Sequence, residues 1–207
     1  MNERKAESVI PALRNVIVID CETGGLNPIT DAILSLALVT GDLRRSLEVK
    51  IQQHGAVSPE ALAVNRIDLD QHNREAVSMV EACNAVSAFV AEVEAEANGE
   101  RLYLAGHNVA FDLGFVLRLY DFGGLLGNCK CPRLFGPHRM IDTHSILWAL
   151  SASCGMIIPT DSSGAFEFYG IRIPEEQRHT AIGDATATAQ LLGRLLRGLE
   201  RGRMLAK

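Results

Sequence analysis

The chain has 207 residues, 47% of them hydrophobic, which suits one domain with a sizeable core. No apolar run approaches the ~18 residues of a membrane span, and a net charge of −5 excludes a broad basic groove but not a small phosphate-handling pocket. Five scattered cysteines, an odd number, speak against a disulfide framework and for a reducing cytoplasm.

Met1–Glu7 carries mixed charge and no apolar stretch, unlike a secretory leader. Residues 1–13 read as a lead-in to a single domain over 14–207. Val16–Ile19 is a β-branched apolar run that predicts a buried strand, and it ends in Asp20-Cys21-Glu22. Alternation puts Asp20 and Glu22 on one face and Cys21 on the other. Two such acids repel unless a cation neutralises them, so the pair suits a hard divalent metal. A solvated strand end with two surface acids is the bland alternative. Thr23, Gly24 and Gly25 then break the strand and should leave backbone amides free near the acids.

Ala32–Thr40 predicts a second strand. Ser46–Gln52, with Leu47, Val49 and Ile51 alternating against Glu48, Lys50 and Gln52, predicts a third in an antiparallel meander. Ser58-Pro59-Glu60 opens a short helix. Ser78 with Glu81 forms a capping box for a long helix to Ala97. Leu102–Gly106 predicts a fourth strand, followed by a helix over Leu113–Phe122 that Gly123-Gly124 should stop. Residues 123–138 read as loop; Cys129, Cys131 and His138 there lack zinc-finger spacing, so free thiols are expected. Met140–Asp142 predicts a fifth strand, Thr143–Leu150 a helix, and Phe166–Gly170 a short helical piece, while 151–163 is irregular. An amphipathic helix over Gly183–Arg201 closes the chain. The order predicts an α/β domain: a mixed five-stranded sheet, three strands in a meander plus parallel strands, with helices on both faces.

If strands one and four are neighbours, their carboxyl ends meet where open α/β sheets place ligands, and Asp112 would face Asp20 and Glu22. An acid early in a helix also simply complements the macrodipole. His179 and Asp184, five residues and about 500° apart on an ideal helix, converge only if His179 lies in the loop before it. An exposed loop histidine is the plain alternative.

Asp20-x-Glu22-Thr23-Gly24, His107-Asn108-x-x-Phe111-Asp112 and His179-x-Ala181-x-x-Asp184-Ala185 resemble the three motifs of the DEDDh 3′→5′ exonucleases, a family of ribonuclease H-like fold. Within that family the chain resembles the branch holding polymerase III epsilon-like and ribonuclease T-like members, and Ala61–Asp68 is similar to a ribonuclease T helix region. The resemblance runs from about Val16 to Leu196. Arg66 departs from a usual glycine and Ser35 from a frequent glutamate, and residues 151–177 match poorly.

The resemblance implies a metal-dependent 3′→5′ exonuclease acting on the 3′ end of DNA or RNA, single-stranded or overhanging. Two Mg²⁺ or Mn²⁺ ions would be held by Asp20, Glu22, Asp112 and Asp184, with His179 as general base. Thr23, Gly24 and Leu26 would contact the terminal nucleotide through backbone amides and an apolar wedge, and Asn108 and Phe111 would flank its sugar and base. Asp142 is read as structural. A homodimer or a polymerase-type partner is left open. So are a non-catalytic nucleic-acid-binding module of the same fold, another metal-dependent phosphodiesterase, and an endonuclease.

Overall fold

Alternation along the first apolar run decides the layering of the protein. The structure, a computed structural model, describes residues 10–205; most of the lead-in over 1–13 lies outside them. Strand β1 (Val16–Thr23) pairs antiparallel with β2 (Ile33–Thr40), which pairs antiparallel with β3 (Ser46–Lys50). On its other side β1 pairs parallel with β4 (Tyr103–Gly106), and β4 with β5 (Met140–Asp142). The order β3-β2-β1-β4-β5 is the expected mixed sheet.

Seven α-helices are described: α1 (Pro59–Asn65), α2 (Leu69–Glu75), α3 (Met79–Glu96), α4 (Val109–Gly127), α5 (Thr143–Cys154), α6 (Ser162–Phe168) and α7 (Ala181–Leu205). Ile17, Ile19 and Cys21 face α3 and α4, in a cluster with Val86, Phe89, Phe115 and Leu119. Val16 and Val18 face α7, against Ala181, Ala185, Ala189 and Leu192. Each fully buried aliphatic side chain contributes roughly 1.5–3 kcal/mol. The alanines, four residues apart, form one stripe of small side chains, and α7 can lie close over β1. That closeness brings Asp184 to the strand end.

Several boundaries differ from expectation. α4 starts at Val109 and runs through Gly123-Gly124 to Gly127 instead of stopping at the glycines. A Cβ at Gly123 would lie 2.6 Å from Cys83 Sγ of α3, and one at Gly127 2.6 Å from Val80 Cγ1. Close helix packing thus outweighs the ~1 kcal/mol helix cost of each glycine. The helix ends at Asn128, left-handed at φ 56°. α2, capped by Asp68 onto the Gln71 amide at 3.0 Å, is an additional helix. α5 continues to Cys154, α6 starts at Ser162 under an Asp161 cap, and α7 starts at Ala181 instead of Gly183. No helix among the described residues is long and apolar enough to cross a membrane.

Candidate functional site

The carboxyl end of β1 is built around Asp20 and Glu22, on the face that α7 covers. They lie cross-strand from Ala37 and Ser35, and the β1–β2 register slips between Glu22 and Thr23. Just beyond, Gly24 is buried, and a Cβ there would fall 2.3 Å from Ala56 O. Its amide is not free as expected: it donates to Ala32 O at 2.7 Å. The slipped register puts that carbonyl in reach, and the close approach of Ala56 O leaves room only for glycine here.

Thr23 Oγ1 donates to Gly25 O at 2.7 Å, and Thr23 O accepts from Asn65 Nδ2 at 3.2 Å. Leu26 is 85% exposed. Thr23, Gly24, Leu26, Val64, Asn65 and Phe111 are among the residues lining a groove of about 620 Å³. Phe111 also packs on the core and lies 5.0 Å from the Phe115 ring, so it serves both surfaces. Asn108 is exposed at the start of α4, with φ 61° and no side-chain cap, and does not line that groove. Its amide donates to Asp142 Oδ1 at 2.8 Å, and Asp142 also accepts from the His144 amide and Ser145 Oγ. That agrees with a structural Asp142.

Oxygen atoms of Asp20, Glu22 and Asp184 lie within 4.8 Å of one another. Among the described residues this is the metal-capable group; Cys129, Cys131 and His138 form none. Asp112 is not a member of the trio. It is buried and approaches from the α4 side of the sheet, accepting hydrogen bonds from the Cys21 thiol and amide. β4 stops pairing with β1 at Ala105, opposite Val18, so the Cys21 amide lies past that pairing and open to Asp112. Cys21 faces the core side as expected, yet it also orients an acid.

Burial raises all four acids, and like charge adds to it at Asp20 and Glu22. Burial, then Asp112, Glu22 and Asp184, push Asp20 well above the usual carboxylate range. Burial, then Asp184, Asp112 and Glu48, raise Glu22 to about 8. Burial raises Asp112 to about 7 against the Cys21 hydrogen bonds. Burial also raises Asp184, which the charges of Arg178 and His179 and the His179 amide partly offset. Asp184 Oδ1 is buried with no hydrogen-bond partner. An orphaned carboxylate oxygen beside two mutually repelling acids fits a hard divalent cation and an all-oxygen donor set.

His179 lies in the loop before α7, and its backbone amide meets the Asp184 carboxylate. The turn that brings them together is at His179 itself, with φ 58°; Gly183 is already inside the helix. A second pocket, of about 280 Å³, has Glu22, Ser35, Asn65, Arg66 and His179 in its walls and shares Glu22 and Asn65 with the larger groove. Asn65 is a site residue that reading by chain order does not single out. Its signal is the α1 run over 61–68, whose last helical residue is a buried polar amide.

Comparison with known proteins places this geometry among relatives. The RNase_T model, described as exonuclease, matches residues 17–192. A ribonuclease T from Shewanella frigidimarina is 33% identical over 186 residues, covering 84% of this chain and 79% of its own. One from Klebsiella pneumoniae is 30% identical over 194 residues, covering 84% and 81%. Among solved structures, E. coli exonuclease I in complex with a dT13 oligonucleotide superposes with a TM-score of 0.67 at 15% identity, over 87% of this chain. A zinc-bound form of its complex with single-stranded DNA gives 0.66 at 16%, over 90%. The chain spans about two-fifths of exonuclease I, 40% and 42% in these two matches, and the likeness there is one of fold.

Proposed function

The chain belongs to the exonuclease family whose model spans residues 17–192, and from that premise we propose that it shortens DNA or RNA from the 3′ end by two-metal hydrolysis of the terminal phosphodiester. The observation that carries the reading is the convergence of Asp20, Glu22 and Asp184 around an unpartnered Asp184 oxygen. The activity is that of a 3′→5′ exonuclease; ion number, ion identity, residue roles and substrate belong to the proposal.

Asp20, Glu22 and Asp184 would hold one Mg²⁺ or Mn²⁺, and Asp20 and Asp112 would help to hold a second. When bound, such ions lower the pKa of the attacking water and neutralise charge on the phosphate and leaving oxygen. His179 takes the proton from the attacking water at an imidazole nitrogen. The water oxygen bonds to phosphorus as the bond to the upstream 3′ oxygen breaks, leaving a nucleoside 5′-monophosphate and a chain one unit shorter. Leu26 and Phe111 line the groove beside Glu22, which supports their reading as contacts to the terminal nucleotide, whereas Asn108 would need to reach it from outside the groove wall.

The relatives called ribonuclease T favour RNA as the first substrate to try, while the exonuclease I neighbours are complexes with single-stranded DNA. Five free cysteines support a reducing, cytoplasmic setting, and the shared sheet supports one exonuclease domain over residues 14–207. The test uses 5′-labelled single-stranded RNA, single-stranded DNA and duplex with a 3′ overhang, each with Mg²⁺, Mn²⁺ or chelator. A metal-dependent ladder receding from the 3′ end is expected, with circular strands resistant. No ladder on any linear strand, or cutting of circles, overturns the reading. Light scattering on the same sample separates monomer from homodimer.

A further inference from the structure

The segment that carries His179 holds a conformation it would not keep by itself. A non-glycine residue in the left-handed region persists only where its surroundings over-determine it, and His179 has φ 58°. Two ties run to neighbours close in the chain. Thr180 Oγ1 donates to Gln177 O at 2.9 Å, and a Cβ on Gly183 would fall 2.0 Å from that same carbonyl, so the first turn of α7 presses on the loop. Arg178 Nη2 donates to Ser163 Oγ of α6 at 2.8 Å.

A third tie leads elsewhere. Arg66 Nη1 meets Glu175 Oε1 at 3.2 Å, across 109 residues of chain. Arg66 is the C-cap of α1 and is itself left-handed, with φ 58° and ψ 26°. The residue before it, Asn65, ties α1 to the end of β1 through Thr23 O. α1 also supplies Ala61 and Val64 to the wall of the larger groove, while Arg66 lines the smaller pocket with Glu22 and His179. The Arg66–Glu175 pair is therefore a crosspiece between the wall of the nucleotide groove and the histidine segment.

We propose that Arg66 is a positioning residue: through Glu175 it couples the seating of a 3′-terminal nucleotide against α1 to the placement of His179. The inference rests on the reading of His179 as the base. Both side chains are largely exposed, at 60% and 79%, and exposed pairs are weak and readily exchanged. The coupling is accordingly several-fold in size and not an on–off gate.

The test compares the full-length wild type with Arg66→Gly, Arg66→Lys, Glu175→Gln and the swap Arg66→Glu with Glu175→Arg. Arg66→Gly suits a left-handed C-cap, so it removes the side chain without threatening the fold. The first readout needs no catalysis: hydrogen exchange of residues 175–180 in Mn²⁺, with and without adenosine or thymidine 5′-monophosphate. Nucleotide should slow exchange about threefold or more in the wild type, Arg66→Lys and the swap, and leave it unchanged in Arg66→Gly and Glu175→Gln. Absence of that protection in the wild type, or its survival in both single variants, overturns the proposal.

The second readout is turnover of a single strand with Mn²⁺. Arg66→Gly and Glu175→Gln should each lower kcat about 3–10-fold with KM within about twofold, and Arg66→Gly should cost nothing further in a His179→Ala background. A raised KM with intact kcat in Arg66→Gly alone would instead make Arg66 a direct phosphate contact and overturn the coupling. If the wild type cuts no strand, the nuclease reading fails, and the exchange experiment still decides the coupling.

Discussion

At the amino end of the sheet, Arg45 pairs with Glu92 and Glu96 of α3, Arg44 pairs with Asp42, and Asn15 donates to Glu100. A few residues further along the same central strand, the charged neighbours that act most strongly on Asp20 and Glu22 are other acids. One end settles its charges within the chain, in exposed pairs whose loss changes little. The other is left short of positive charge in a half-buried setting, where the cost of ionisation is high. The difference teaches where a cation would be held: a cavity of about 730 Å³ lies at the balanced end, yet it is the smaller grooves at the acidic end that border Glu22.

Breaking the acidic end should have the largest effect. Asp20→Asn and Asp184→Ala are expected to lose all measurable hydrolysis in a gel assay. In chelator they should melt no lower than the wild type, since each removes a like charge from the cluster; full activity in either would sink the two-metal reading. His179→Ala should lose about 10²–10⁴ in rate. It should keep the rise in melting temperature on adding Mn²⁺, because the acids are intact.

Next comes the linkage to pH. Glu22 is raised from 4.5 to about 8 and Asp112 from 3.8 to about 7, so protons favour the metal-free fold. That contribution is complete below the unfolded values and is lost as pH rises through the folded ones. Melting temperature in chelator should therefore fall between pH 4.5 and pH 8. Added Mg²⁺ or Mn²⁺ should restore most at the upper end of that range; a flat profile would show that the cluster is not strained. The smallest effect belongs to the balanced end. Arg45→Ala should leave activity unchanged and barely move the urea midpoint; a marked loss of activity would dissolve the contrast between the ends.

Much of this was legible from local pattern. Period-two alternation identifies β1 and the face shared by Asp20 and Glu22, and the capping box marks α3. Where local signals misled, a distant contact was the cause. Gly123-Gly124 reads as a helix stop until α3, some forty residues earlier, is laid against it through Cys83. The Gly24 amide reads as free until the register slip brings it to Ala32 O. Asp112 reads as a partner of Asp20 and Glu22, on whose titration it acts, and its added hydrogen bonds to Cys21 follow from where the β1–β4 pairing ends, which no residue pattern states. The Arg66–Glu175 pair joins residues that composition and spacing could not have linked.

Asn108 and His179 share one trait: each turns left-handed just before a helix that carries a site acid four or five residues on. Such a turn is routine only for Gly, is tolerated by Asn, Asp and His better than by other residues, and resists β-branched ones. The aim of Asp112 and Asp184 is thus written into backbone handedness as much as into side-chain contacts. It would outlive the reaction itself. A variant whose site acids are exchanged for their amides should keep both turns, and with them the entry angles of α4 and α7.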